Sequence, residues 1–87
     1  AVEVLFTEQF EQAYSRLTQQ EKQGVMKAVT FLGENPRHPG LNVKKMEGKR
    51  NIWEARVSRR LRMTFEMSGE TITMRNVGEH DAVLKTP

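Results

Sequence analysis

An α+β domain of order βααβββ, an antiparallel sheet with a two-helix hairpin packed on one face, is expected from three features of this chain. Apolar residues recur at helical spacing from Phe10 to Leu32 and at a spacing of two from Ile52 to Val77. A capping signal divides the helical stretch, and short turns divide the extended one. The length, 87 residues, suits one domain spanning 1–87 and leaves no room for a separate substrate module. A domain of this size buries roughly 60–65% of its unfolded surface, so a thin core is expected.

Val2, Val4 and Phe6 alternate with Glu3 and Leu5, which predicts a short first strand. Thr7 then offers an N-cap hydroxyl, and Glu8 and Glu11 lie where the helix dipole favours negative charge. Phe10, Ala13, Tyr14 and Leu17 form one apolar stripe of a first helix. The segment Thr18-Gln19-Gln20-Glu21 is a capping box, so a second helix begins at once. That helix is expected to bury Val25, Ala28, Val29 and Leu32, with Met26 and Phe31 widening the stripe. Gly33 is expected as a left-handed C-cap, and Pro36 cannot continue the helix.

Residues 36–40 form a loop by composition, and His38 reads as a loop histidine. Leu41 to Gly48 fits either an extended segment or a turn. Beyond it Trp53, Ala55 and Val57 share one strand face, and Ile52, Glu54, Arg56 and Ser58 the other. After the Arg59-Arg60 corner, Leu61, Met63, Phe65 and Met67 alternate with Arg62, Thr64 and Glu66. Ser68-Gly69-Glu70 turns the chain into a third strand, where Ile72, Met74 and Asn76 oppose Thr71, Thr73, Arg75 and Val77. Three strands joined by short turns make an antiparallel meander. Trp53, Met63, Met67 and Met74 are read as core.

Charge is segmented along the chain. Residues 36–62 hold nine Lys and Arg against two Glu, a net of +7, while the segments on either side are each net acidic. A polyanionic partner and a merely solvated face both account for such a block. The absence of cysteine excludes disulfides and thiolate metal sites and fits a reducing cytosol. No apolar run approaches the roughly 18 residues of a membrane span, and no signal-like segment opens the sequence, so a cytoplasmic protein without membrane contact is expected.

With the apolar meander face turned to the helices, Glu54, Arg56 and Arg62 project from the other face, and Arg75 joins them from the last strand. His80 follows the end of that strand, next to Asp81. Each charge also has a bland reading as half of an ion pair worth about 0.2–1 kcal/mol. Together they suit phosphodiester cleavage by the 2′-hydroxyl of RNA itself. That reaction needs a proton acceptor, a proton donor, and cations for the charge on phosphorus. Histidine titrates near neutral pH, and arginine holds two phosphate oxygens in a fork. Two isolated histidines form no ligand spacing, so neither metal nor cofactor is expected. Phosphate-binding glycine loops, a nucleophile elbow and a cysteine nucleophile are all missing from the sequence.

The segments "NPRHPGL", "KKMEG", "IWEARVSRRLRMTFEM" and "VGEHDAVLK", with the aromatic first helix, resemble the RelE/ParE superfamily of bacterial and archaeal toxins over Val4 to Lys85. The resemblance implies the βααβββ fold and the toxin half of a type II toxin–antitoxin system. In the RelE branch it implies a ribosome-dependent, metal-independent mRNA endonuclease (an mRNA interferase) that inhibits translation and is neutralised by a cognate antitoxin. In the ParE branch it implies a non-catalytic inhibitor of DNA gyrase, and a degenerate member would retain only antitoxin binding. By the resemblance, Arg56 and Arg62 hold the scissile phosphate and His80 is the C-terminal histidine of the ribonuclease members. Lys44, Lys45, Lys49 and Arg50 match the stretch that binds RNA and ribosome, a role extended to the neighbouring Arg59, Arg60 and Arg75. Glu54 stands where lysine-rich members carry a base and would supply a carboxylate in its place. Leu84 stands where many members carry a tyrosine.

Overall fold

The computed structural model describes residues 2–87. Its elements are β1 (Glu3–Phe6), α1 (Glu8–Ser15), α2 (Gln19–Glu34), a 3-10 turn (Pro39–Leu41), β2 (Lys44–Lys45), β3 (Trp53–Arg56), β4 (Leu61–Ser68), β5 (Thr71–Glu79) and α3 (His80–Lys85). The strands form one sheet in the order β1-β5-β4-β3-β2. β1 runs parallel to β5, and the other pairings are antiparallel. The α+β architecture and the meander are as expected, with β2 and α3 as additions.

The starts of α1 and α2 use the capping groups in the sequence. Thr7 Oγ1 accepts from Phe10 N at 3.1 Å, and its hydroxyl lies 3.0 Å from the Met74 carbonyl, which pins α1 to β5. Thr18 and Glu21 form a reciprocal capping box. The helical pair and the sheet then share one core, in which Phe10, Val25, Leu32, Ala55, Met63, Phe65 and Met74 are buried. Trp53 and Val57 pack against its edge. That face of β3 and β4 is the one the alternation assigned to the helices.

Two local expectations are corrected. Gly33 does not cap α2: the helix continues to Glu34, and Asn35 closes it in an extended conformation. Gly33 lies where α2 passes β1, an added Cβ there being 3.4 Å from Val4 Cγ2. The alternation of β5 also changes phase. Phe65 pairs with Met74 and Thr64 with Asn76, leaving Arg75 as the extra residue of a bulge. Val77 therefore enters the helix-side core with Ile72 and Met74, and Asn76 turns to the opposite face.

That opposite face is partly covered. α3 folds back over it, burying Val83 outside the main core and against Gly78, where an added Cβ would be 3.6 Å from Val83 Cγ2. Beyond α3, the Thr86 carbonyl accepts from Asn76 Nδ2 at 2.7 Å and from Gln9 Nε2 at 3.2 Å. The exposed part of the face is consequently its β2–β3–β4 side. Among the described residues no helix is long and apolar enough to cross a membrane.

Candidate nucleic-acid interface

Pairing register places the charged residues of the exposed face in two rows. Lys44, Glu54, Thr64 and Asn76 face one another across β2, β3, β4 and β5. Arg56, Arg62 and Gly78 form the next row. Between them lies a depression of about 270 Å³ lined by Asn42, Lys44, Glu54, Arg56 and Arg62. Asn42, in the left-handed region at φ 47°, turns the chain from the 3-10 turn into β2 and so sets Lys44 toward Glu54.

Glu54 forms the floor. Its side chain is 6% exposed, and among the described residues its one charged partner is Lys44 Nζ at 3.7 Å, too long for a hydrogen bond. Burying a carboxylate carries a desolvation cost, and the cations that line the depression with Glu54 are Lys44, Arg56 and Arg62. Arg56 and Arg62 stand directly opposite each other on neighbouring strands, a like-charge arrangement that destabilises a sheet by itself. Arg56 has no carboxylate or hydrogen-bond partner among the described residues. Arg62 is oriented from behind: its Nη1 donates to the carbonyls of Ser58 at 2.7 Å and Leu61 at 3.0 Å, within the β3–β4 turn. One edge of that guanidinium is thus anchored, and its remaining N–H groups stay free for an anion.

The other residues singled out from sequence are dispersed. His80 opens α3, two residues beyond Gly78 of the arginine row; its side chain is half exposed, with Nδ1 3.7 Å from Asp81 Oδ1, and it does not line the depression. Lys45 lies opposite Trp53, next along β2 from Lys44 and so on the other face of the strand. Lys49, Arg50 and Arg59 are exposed in the turns that flank β3. Arg60 is engaged by Glu79 at 2.6 Å, and that hydrogen bond and charge raise its already high pKa. Arg75 is held by Glu66 at 3.3 Å and by the Pro87 carbonyl. Asn42 escaped sequence reasoning, because β2 is two residues long and offers no alternation to read.

A larger depression, about 800 Å³, lies beside this site between the 35–39 loop, Asn42, Trp53 and Met67. Arg37 is its one basic side chain besides His38. Its size does not make it the better candidate for a phosphate ester. The gathering of Lys44, Arg56 and Arg62 around one depression with the buried Glu54 does.

No family model and no curated protein matches the sequence. Solved structures do match the fold. The chain is similar to YafQ from E. coli strain BL21(DE3), with a TM-score of 0.80 at 12% identity over 95% of this chain and 98% of that one. It is similar to a chain of the archaeal RelE–RelB complex from Pyrococcus horikoshii OT3, with a TM-score of 0.75 at 17% identity over 90% and 93% of the two chains. It is also similar to a chain of the RelB–RelE antitoxin–toxin complex from Methanococcus jannaschii, with a TM-score of 0.74 at 20% identity over 95% and 99%. The sheet order, the helical hairpin and these superpositions give the chain the fold of the RelE-type toxins.

Proposed function

We propose that this chain is the toxin of a type II toxin–antitoxin pair and cleaves translated mRNA on the ribosome as a metal-independent endoribonuclease in the cytoplasm. The observation that carries this reading is the directly opposed Arg56–Arg62 pair beside the buried Glu54, a constellation that costs stability until an anion joins it. In the reaction the two guanidiniums hold the non-bridging oxygens of the scissile phosphate. Glu54 accepts the proton of the 2′-hydroxyl as that oxygen attacks phosphorus. The bond from phosphorus to the 5′-oxygen breaks, and His80 delivers a proton to the leaving oxygen. The products are a 2′,3′-cyclic phosphate and a 5′-hydroxyl.

The RelE–RelB complexes among the similar structures support an antitoxin partner for this chain. Leu84, 41% exposed on α3, favours a rival reading as a binding toxin that inhibits DNA gyrase, because no phenol is offered where the ribonuclease members of the family it resembles carry one. Primer-extension mapping of a translated message separates the two. The parent should cut, and Glu54→Gln, Arg62→Ala and His80→Ala should each lose on the order of 10²-fold or more while remaining folded by circular dichroism. Growth arrest by a parent that cuts nothing on translating ribosomes would overturn the nuclease reading in favour of gyrase.

A further inference from the structure

Arg56 borders a second concavity on the far side of β3. This crevice, about 210 Å³, lies between α2, the 3-10 turn and the end of β3, and Arg56, Lys27, Phe31 and His38 are among the residues around it. Its composition differs from that of the arginine depression. The rings of Phe31 and His38 stack with centroids 4.8 Å apart and planes 7° from parallel. Lys27 Nζ sits 5.8 Å from the Phe31 ring centroid. Gly40 N–H donates to His38 Nδ1 at 3.2 Å. The stacking and this hydrogen bond together orient the imidazole before any ligand arrives.

Neither Lys27 nor Arg56 has a carboxylate partner among the described residues. Gly24 and Val57 also line the crevice. Two cations without carboxylate partners beside a stacked aromatic pair is an arrangement that suits single-stranded nucleic acid, the cations taking phosphate and the His38 face turned from Phe31 taking a base. Because Arg56 lines both concavities, one strand can pass from the first to the second over a shared side chain.

We propose that the Lys27–Phe31–His38 crevice is a nucleotide subsite, which takes the base of a nucleotide flanking the phosphate held by Arg56 and Arg62. The inference rests on the nuclease reading for the strand that occupies it. The site adds a stacking contact outside the reacting atoms, so it acts on binding and on the length of strand engaged. It reads any base, since every base has a face to stack.

The test is fluorescence anisotropy of the full chain with labelled 2′-O-methyl oligoribonucleotides, which cannot be cut, lengthened one nucleotide at a time. At one length the affinity should rise by about tenfold, the gain typical of one stacked base. That step should vanish when the added nucleotide is abasic, and in His38→Ala and Phe31→Leu. It should shrink in Lys27→Ala, whose exposed side chain can be removed without touching the core. A step that survives His38→Ala and Phe31→Leu in folded protein, or that the abasic nucleotide reproduces, overturns the subsite. A flat ladder from a parent that still cuts translated mRNA also overturns it, leaving the crevice to a protein partner and the nuclease reading intact. A base-dependent step from a parent that cuts nothing keeps the subsite and removes the nuclease.

Discussion

Arg56 and Arg62 share a register position yet should respond oppositely to truncation. Arg56 faces a like charge with nothing to relieve it, so Arg56→Ala should raise stability by about 0.2–1 kcal/mol. Arg62 also ties the β3–β4 turn through the Ser58 and Leu61 carbonyls, so Arg62→Ala should lower stability by about 1 kcal/mol. Thermal unfolding in a buffer without multivalent anions checks both signs; a destabilised Arg56→Ala would mean that the pair is not strained. Adding inorganic phosphate should then raise the melting temperature of the parent more than that of either variant, because an anion bound only to the folded state stabilises it by mass action. The shared face of Glu54, Arg56 and Arg62 was legible in the sequence, because period-two alternation fixes which side chains point together. His38 was not, because its orientation comes from a ring on α2 and an amide in the following turn, neither of which a loop composition announces.

At the level of elements, the sheet's second face is where expectation and structure part. The strands of the meander could be read from alternation, but the β5 bulge at Arg75 reversed the phase beyond it and sent Asn76 outward and Val77 inward. α3 could not be read at all: six residues with one buried side chain, Val83, provide no periodicity. Its effect on the sheet is nevertheless specific. It helps to cover the face on which Thr64 lies, fully buried, with an Oγ1 that has no hydrogen-bond partner. An unpartnered buried hydroxyl costs about 1–3 kcal/mol, and valine keeps the shape and the strand preference without it. Thr64→Val should therefore raise stability by an amount in that range, read as a higher urea midpoint at unchanged m-value. A lower midpoint would show that the hydroxyl is satisfied in solution. At the opposite end of the chain, Thr18→Ala should cost about 1 kcal/mol, since it removes the acceptor for Glu21 N in a complete capping box.

For the whole molecule, the +7 segment matters less as a total than as a distribution of free and engaged cations. Arg60 within the segment and Arg75 beyond it already hold Glu79 and Glu66, and each pair presents little net charge to a distant phosphate. Lys45, Lys49 and Arg50 are exposed and carry no ion pair among the described residues. Binding to ribosomes should weaken steeply with salt, because each phosphate contact releases about 0.7–0.9 of a counterion. The triple variant Lys45→Ala/Lys49→Ala/Arg50→Ala should lower the slope of log K against log salt by about 2, in proportion to three contacts. The double variant Arg60→Ala/Glu79→Ala removes a positive and a negative charge together and should leave the slope unchanged. Filter binding across a salt series measures both on the same ribosome preparation. Equal slopes for parent and triple variant would remove the 45–50 stretch from the interface. A slope that falls with the double variant would instead place the Arg60 turn against the phosphate backbone, and would mean that Glu79 yields its partner to the nucleic acid.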